Sequence, residues 1–210
     1  KTWGLKLTTG KFAGDLEAAR RVNITIGGKM TATDYVAWLS LTPRNLDAGD
    51  VVTGDIRILN LTTAGILDKT DAPGTTISPL AFTGLKSMEI GTEKILLQPD
   101  VIGMFRDFKP GDKPLMLAAR VKGDVKTAFP NGPPKTDKKT DDKTGTPAKH
   151  LVQSEKPVNL IVIADVDMLH DRYWVDVRKI GDRRLLIPFA NNADFVVNAL
   201  DNLSGSEALI

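Results

Sequence analysis

Asn159-Leu-Ile-Val-Ile-Ala-Asp165 is an apolar run that ends on Asp165-Val166-Asp167, and Phe189-Ala-Asn-Asn-Ala-Asp194 leads into an amphipathic segment closing near Leu203. The first run is short, rich in Ile and Val, and nearly unbroken. Such a run reads as a strand buried on both faces, which is the habit of parallel sheets covered by helices. The closing segment carries Ala193, Phe195, Val196, Ala199, Leu200 and Leu203 on one side, and Asn198, Asp201 and Asn202 elsewhere. That spacing predicts a helix with one packed stripe. Asn191 or Asn192 would cap its first turn, Asp194 suits the positive end, and Gly205 would terminate it. One such strand and one such helix predict an α/β fold. The expected fold is an α/β sandwich. It has a mostly parallel sheet with helices on both faces, a long mobile loop and a β-hairpin.

The chain has 210 residues and is 41% hydrophobic, enough for one substantial core. Lys plus Arg is 28 against 26 Asp plus Glu. That balance does not argue for nucleic acid. There is no cysteine and only two histidines, His150 and His170. Thiol catalysis, disulfides and histidine-rich metal sites are thereby excluded. No apolar run approaches the ~18 residues of a membrane span. The first residue is Lys and the last three are Ala208-Leu209-Ile210. We read the chain as a piece of a longer protein and expect any membrane segment to lie outside it.

Upstream, Leu16 to Arg20 reads as a short helical turn and Val22 to Ile26 as a strand entering a Gly27-Gly28 hairpin turn. Tyr35 to Leu41 reads equally as strand or buried helical turn. Asp47 or Asp50 would cap a helix over Val51 to Leu59, weakened by Gly54. Leu80 to Ile90 is a strand or two, bent at Gly84. Val101, Ile102, Phe105 and Phe108 recur at helical spacing, and Pro114 to Lys122 is a strong strand. Pro130 to Pro157 is rich in Pro, Lys, Thr and Asp with few apolar residues. It is expected to be a mobile insertion (130–157) within a single domain (1–210), because it buries too little to offset its ordering entropy. Tyr173 to Arg178 and Arg184 to Pro188, joined through Ile180-Gly-Asp182, predict a projecting hairpin.

In parallel sheets ligands sit beyond the carboxyl ends of the strands. Asp165 and Asp167 lie at such an end, and Asp171, Asn191, Asn192 and Asp194 would join them in a polar rim for a ligand. A carboxylate pair could hold a divalent ion or act as acid and base. The commoner use of a lone Asp-X-Asp is structural, one carboxylate capping a nearby helix or loop and the other solvated. Asp165 and Asp167 are too close in sequence for the opposed pair of a glycosidase, whose carboxyls stand about 5 to 9.5 Å apart. His170 would be a proton shuttle or a locally bonded loop residue. No phosphate loop, Walker lysine or nucleophile elbow is present. No catalytic residue, metal or cofactor is therefore assigned. Arg172, Tyr173, Trp174 and Arg184 form the surface expected to meet a protein partner, since aromatic and Arg anchors dominate binding hot spots.

These residues also carry a family resemblance. It runs through Trp3-Gly-Leu-Lys-Leu with Gly14-Asp15, then Asp50-Val-Val-Thr with Leu59-Asn-Leu and Ala64-Gly65, and Ile77-Ser-Pro-Leu with Thr83. It continues in Leu117-Ala-Ala with Val121-Lys-Gly123 and Ala128-Phe-Pro130, and in Ile163-Ala-Asp-Val-Asp-Met-Leu. Its most specific part is Phe189-Ala-Asn-Asn-Ala-Asp-Phe-Val-Val-Asn-Ala-Leu-Asp-Asn-Leu-Ser-Gly205. The chain resembles the extracytoplasmic region of the gliding-motility-associated ABC transporter auxiliary proteins, the GldG-like family. The resemblance implies a non-enzymatic accessory domain on the periplasmic face of the cytoplasmic membrane, beside an ABC permease and ATPase. It implies a Rossmann-like, doubly wound sheet of the flavodoxin or glutamine-amidotransferase type and membrane helices in flanking segments, and it offers no catalytic residues to carry over. The resemblance does not name the transported substrate; an envelope glycan or small ligand is our own expectation. The competing readings are a carbohydrate-active hydrolase and a metal-binding regulatory domain, both using Asp165 and Asp167.

Overall fold

The structure, a computed structural model, describes residues 2–132 and 150–205. The strands are β1 (Leu5–Asp15), β2 (Ala19–Ile26), β3 (Lys29–Leu41), β4 (Leu59–Thr62), β5 (Gly65–Lys69), β6 (Thr75–Phe82) and β7 (Ser87–Gly91). Helix α1 (Val101–Arg106) follows, then β8 (Met116–Gly123), β9 (Val158–Ile163), β10 (Val175–Ile180), β11 (Arg183–Pro188) and α2 (Asn192–Leu203). Every strand pairing among the described residues is antiparallel. This overturns the expected Rossmann-like parallel sheet with helices on both faces.

The main sheet runs β6-β8-β5-β1-β7, with β9 also paired to β8. β2, β3 and β4 form a second sheet, and β10 and β11 a separate ribbon. The main core gathers Leu39 and Leu41 of β3, Leu59 and Leu61 of β4, Leu80 of β6, Leu117 of β8, and Phe195 and Ala199 of α2.

The run that suggested a parallel strand is β9, and its geometry explains the misreading. The pairs Ala118↔Ile163 and Arg120↔Ile161 set Ile161 and Ile163 on one face, where they pack against the core that includes Phe195 and Ala199. Leu160 and Val162 turn to the other face. There they join Trp3, Leu5 and Val121 around an apolar cavity of about 330 Å³, and Trp3 Nε1 donates to the Lys126 carbonyl at 2.7 Å. β9 is apolar on both sides because both faces have partial cover, not because it sits inside a parallel sheet.

The helix expected over Val51 to Leu59 does not form. Asp50 still caps locally, accepting from Val52 N at 3.0 Å, but the turn stops. Gly54 N donates to the Asp50 carbonyl, and a Cβ on Gly54 would lie 3.2 Å from the Ala48 carbonyl oxygen. The helical turn expected over Leu16 to Arg20 is likewise absent: Leu16 to Ala18 is a bend, held by Glu17 N donating to Asp15 Oδ1 at 2.6 Å, and Ala19 and Arg20 already belong to β2. Other expectations match. Residues 35–41 fall in β3, Leu80 to Ile90 splits into β6 and β7, and α1 is capped by Asp100, which accepts from Gly103 N. Residues 133–149, the centre of the expected mobile insertion, lie outside the described residues. Its described ends extend the β8–β9 pairing: Thr127 N donates to the Val152 carbonyl and Ser154 N to the Val125 carbonyl.

Candidate functional site

β4 pairs with β3 along one edge through Leu41↔Leu59 and Leu39↔Leu61. Antiparallel strands turn the backbone groups of alternate residues to opposite edges. Ile58, Asn60 and Thr62 therefore offer theirs to an edge where, among the described residues, no strand lies. Three side chains take its place. Asn191 Oδ1 accepts from Ile58 N at 3.2 Å, while Asn191 N donates to the Ile58 carbonyl at 2.7 Å. Asn192 Oδ1 accepts from Asn60 N at 3.0 Å, and its Nδ2 donates to the carbonyls of Asn60 and Met168, each at 2.7 Å. Asp165 Oδ2 accepts from Thr62 N at 2.7 Å, and Oδ1 from Asp167 N at 2.8 Å. A carboxamide carries the same donor and acceptor as a peptide group, so Asn192 pairs with Asn60 as a neighbouring strand would. Asn60 is itself fully buried. Its Nδ2 donates to the Tyr173 carbonyl at 2.7 Å, and its Oδ1 accepts from Ser40 Oγ at 2.8 Å.

The expected polar rim thus divides in two. Asp165, Asn191 and Asn192 meet on the β4 edge, with their polar atoms engaged. Asp167, Asp171 and Asp194 are exposed, the first two opening short 3-10 turns, Asp167–Leu169 and Asp171–Tyr173. Asp194 accepts from Asn191 Nδ2 at 2.8 Å. Asn191 occupies the N-cap position of α2 but makes no capping hydrogen bond with its side chain. His170 is locally bonded, its Nδ1 accepting from Arg172 N. Among the described residues no three His, Asp or Glu groups lie close enough to hold a metal ion.

Burial pushes the Asp165 carboxyl up to about 6, against the pull of the Thr62, Asp167 and Met168 backbone N–H groups, and the Asp167 charge adds to the rise. The native chain therefore holds this proton more tightly than the unfolded chain does. Asp165 favours folding most below the unfolded pKa of about 3.9. That contribution, of order 3 kcal/mol, is lost as pH rises to about 6. Asp165→Asn removes the titration. We expect wild type minus variant, measured by urea unfolding, to shrink by about 2–3 kcal/mol between pH about 4 and pH about 7.5. An unchanged difference would show that Asp165 titrates normally.

The predicted hairpin forms. β10 and β11 pair from Val175↔Pro188 to Ile180↔Arg183, with Gly181 in the turn at φ 60°. Its root is an aromatic cluster. Tyr173 meets Trp38 edge-on with ring centroids 5.0 Å apart, and Phe189 N donates to the Trp174 carbonyl at 2.9 Å. The Arg20 guanidinium lies between two rings, 5.1 Å from the centre of Trp38 and 4.7 Å from that of Phe189, and burial lowers its pKa. Arg172 sits 5.9 Å over Tyr173. Of the expected partner surface, Arg172, Tyr173 and Trp174 gather at this root, while Arg184 lies up the arm opposite Lys179. Beside the root is a cleft of about 320 Å³ whose lining includes Arg57, Trp174, Phe189, Asn191 and Asp194. Sequence reading missed Arg20, Trp38, Phe189 and Arg57 here. They come from separate elements, and no local spacing links them.

The family described as ABC-type uncharacterized transport system matches residues 1–199. No curated protein and no solved structure matches the chain.

Proposed function

Because the chain belongs to this family of ABC-type transport systems, we propose that it is a non-enzymatic auxiliary component that works by docking on a partner in the transport complex. One observation carries the reading. The arm Val175–Pro188 leaves Val177, Ile180, Leu185, Leu186 and Ile187 exposed. Exposed aliphatic clusters on a surface of this kind mark interaction sites. The partners are the permease and ATPase subunits, and the domain works on the extracytoplasmic face of the membrane. Within the family we place the chain with the gliding-motility-associated type, on the strength of its Phe189–Gly205 block.

The hydrolase and metal readings needed Asp165 as a free working carboxylate. Both of its oxygens accept backbone N–H groups at the β4 edge, which favours a structural role. A second reading, small-ligand binding, has one observation behind it: the cleft whose lining includes Trp174, Arg57 and Asp194. A thermal-shift screen against sugars, with Trp174→Ala alongside, tests it. A stabilising sugar whose effect survives the substitution would move the site elsewhere.

The main reading predicts that the full-length protein, purified from its own membranes in mild detergent, brings permease and ATPase subunits with it in fixed ratio. Recovery of well-folded full-length protein free of both subunits would overturn the proposal.

A further inference from the structure

The arm presents aliphatic side chains on both of its faces. Val177 and Leu186 are directly opposed on one face; Leu185 and Ile187 lie opposite Arg178 and Asp176 on the other. Ile180 at the turn is 64% exposed and Leu186 57%. Toward the turn the charge is basic, with Arg178, Lys179, Arg183 and Arg184 against Asp176 and Asp182. Asp176 pairs with Arg178 at 2.9 Å. Among the described residues Lys179, Arg183 and Arg184 have no ion-pair partner.

A free two-stranded ribbon is marginal in water, because a hairpin needs a further surface to bury its side chains. Among the described residues the arm is covered only at its root, where Val175 is buried. A flat surface would cover one apolar face and leave the other in water. Entry into a bilayer turn first would carry four cations toward the hydrocarbon, each at a cost of about 2.5 kcal/mol or more. A second copy would bring an equally basic turn. A protein cleft covers both faces together and answers the cations at its floor.

We propose that the arm Val175–Pro188 inserts into a cleft of another subunit of the transport complex, apolar along its walls and lined with carboxylates at its floor. The inference rests on the docking function above and specifies the chemistry of the partner. Charge at the floor then steers encounter, and the aliphatic walls set residence time.

The test is site-specific photo-crosslinking in the full-length protein in its own membrane. A benzophenone amino acid replaces Leu186 on one face or Leu185 on the other, with Met30, exposed at the start of β3, as control. The expected result is adducts from both arm positions to the same transporter subunit and none from Met30. Arg183→Glu with Arg184→Glu should cut the yield about tenfold, and Arg183→Gln with Arg184→Gln less. Raising salt from about 50 mM to about 500 mM should also lower it. Adducts from one face only, to lipid, or to a second copy of this chain would overturn the insertion, as would a yield indifferent to charge reversal. If both subunits still co-purify while the arm yields no adduct, the insertion fails and the docking function stands. If neither subunit co-purifies, the docking function itself fails.

Discussion

Asn192→Ala is expected to lower the unfolding free energy by about 3–5 kcal/mol, a large part of the 5–15 kcal/mol that holds a typical domain together. Asn192 is fully buried. Its removal leaves the Asn60 N–H, the Asn60 carbonyl and the Met168 carbonyl without their partner. Each stranded buried group costs about 1–3 kcal/mol, and the cavity left by the amide adds to the loss. Asn192→Asp separates chemistry from size. It keeps the volume but turns an acceptor oxygen toward two carbonyls, so we expect it to cost at least as much as Ala at neutral pH. Asp194→Ala, at an exposed position, should stay within about 1 kcal/mol and serves as the control. Urea unfolding of the three variants decides the matter. A loss under about 1 kcal/mol for Asn192→Ala would mean that the β4 edge is satisfied some other way.

The β4 edge also shows what the sequence could and could not convey. The Asn191-Asn192 pair was conspicuous before an amphipathic helix, and helix capping is the local use of such residues. Their actual partners, Ile58 and Asn60, lie more than 130 positions away. No local pattern encodes that distance. The same limit produced the wrong sheet. Period and composition identified β9, the β10–β11 hairpin and α2 as elements. Strand direction, however, depends on which strand lies alongside, and β9 pairs antiparallel with β8 across the segment 124–157. The stripe on α2 was legible at Phe195, Val196 and Ala199, which pack on the core. It was overextended at Leu200 and Leu203, which are 62% and 40% exposed. The hairpin was the most legible part of the candidate surface, because a turn bounded by two short strands is a local signal. The guanidinium of Arg20 between Trp38 and Phe189 was illegible, since Phe189 is remote in sequence from the β2–β3 hairpin that carries Arg20 and Trp38.

Arg120→Met is the second large effect expected. The Arg120 side chain, buried in β8, makes a two-pronged contact with Asp50, Nε to Oδ2 at 2.6 Å and Nη2 to Oδ1 at 2.7 Å. Its Nη1 donates to Asn159 Oδ1 and Asn202 Oδ1, both at 2.8 Å. One guanidinium therefore ties the turn after β3, the start of β9 and the last turn of α2 to the main sheet. Met fills similar space but strands a largely buried carboxylate, at a cost of about 3–5 kcal/mol. Arg120→Lys should recover only part of this, because an ammonium lacks the planar fork that meets both Asp50 oxygens. Adding Asp50→Asn to Arg120→Met removes the unpaired charge. The double variant should be more stable than Arg120→Met alone, and a double-mutant cycle reads the coupling directly. Acid gives an independent check. Burial tends to raise the Asp50 carboxyl, yet the Arg120 hydrogen bond, the Val52 N–H and the charges of Arg120 and Lys122 outweigh it, so its pKa lies below the usual value. A carboxyl lowered on folding stabilises above the unfolded pKa of about 3.9 and loses that contribution as pH falls through the folded value. Arg120→Met leaves burial and takes away the cation, which reverses the sign: its Asp50 is relieved, not penalised, by protonation. The gap between wild type and Arg120→Met should therefore narrow from pH about 7 to pH about 3.5, whereas a surface pair that contributes nothing at either pH would leave it unchanged. A gap that stays constant with acid would show that Asp50 and Arg120 are not coupled in the folded chain.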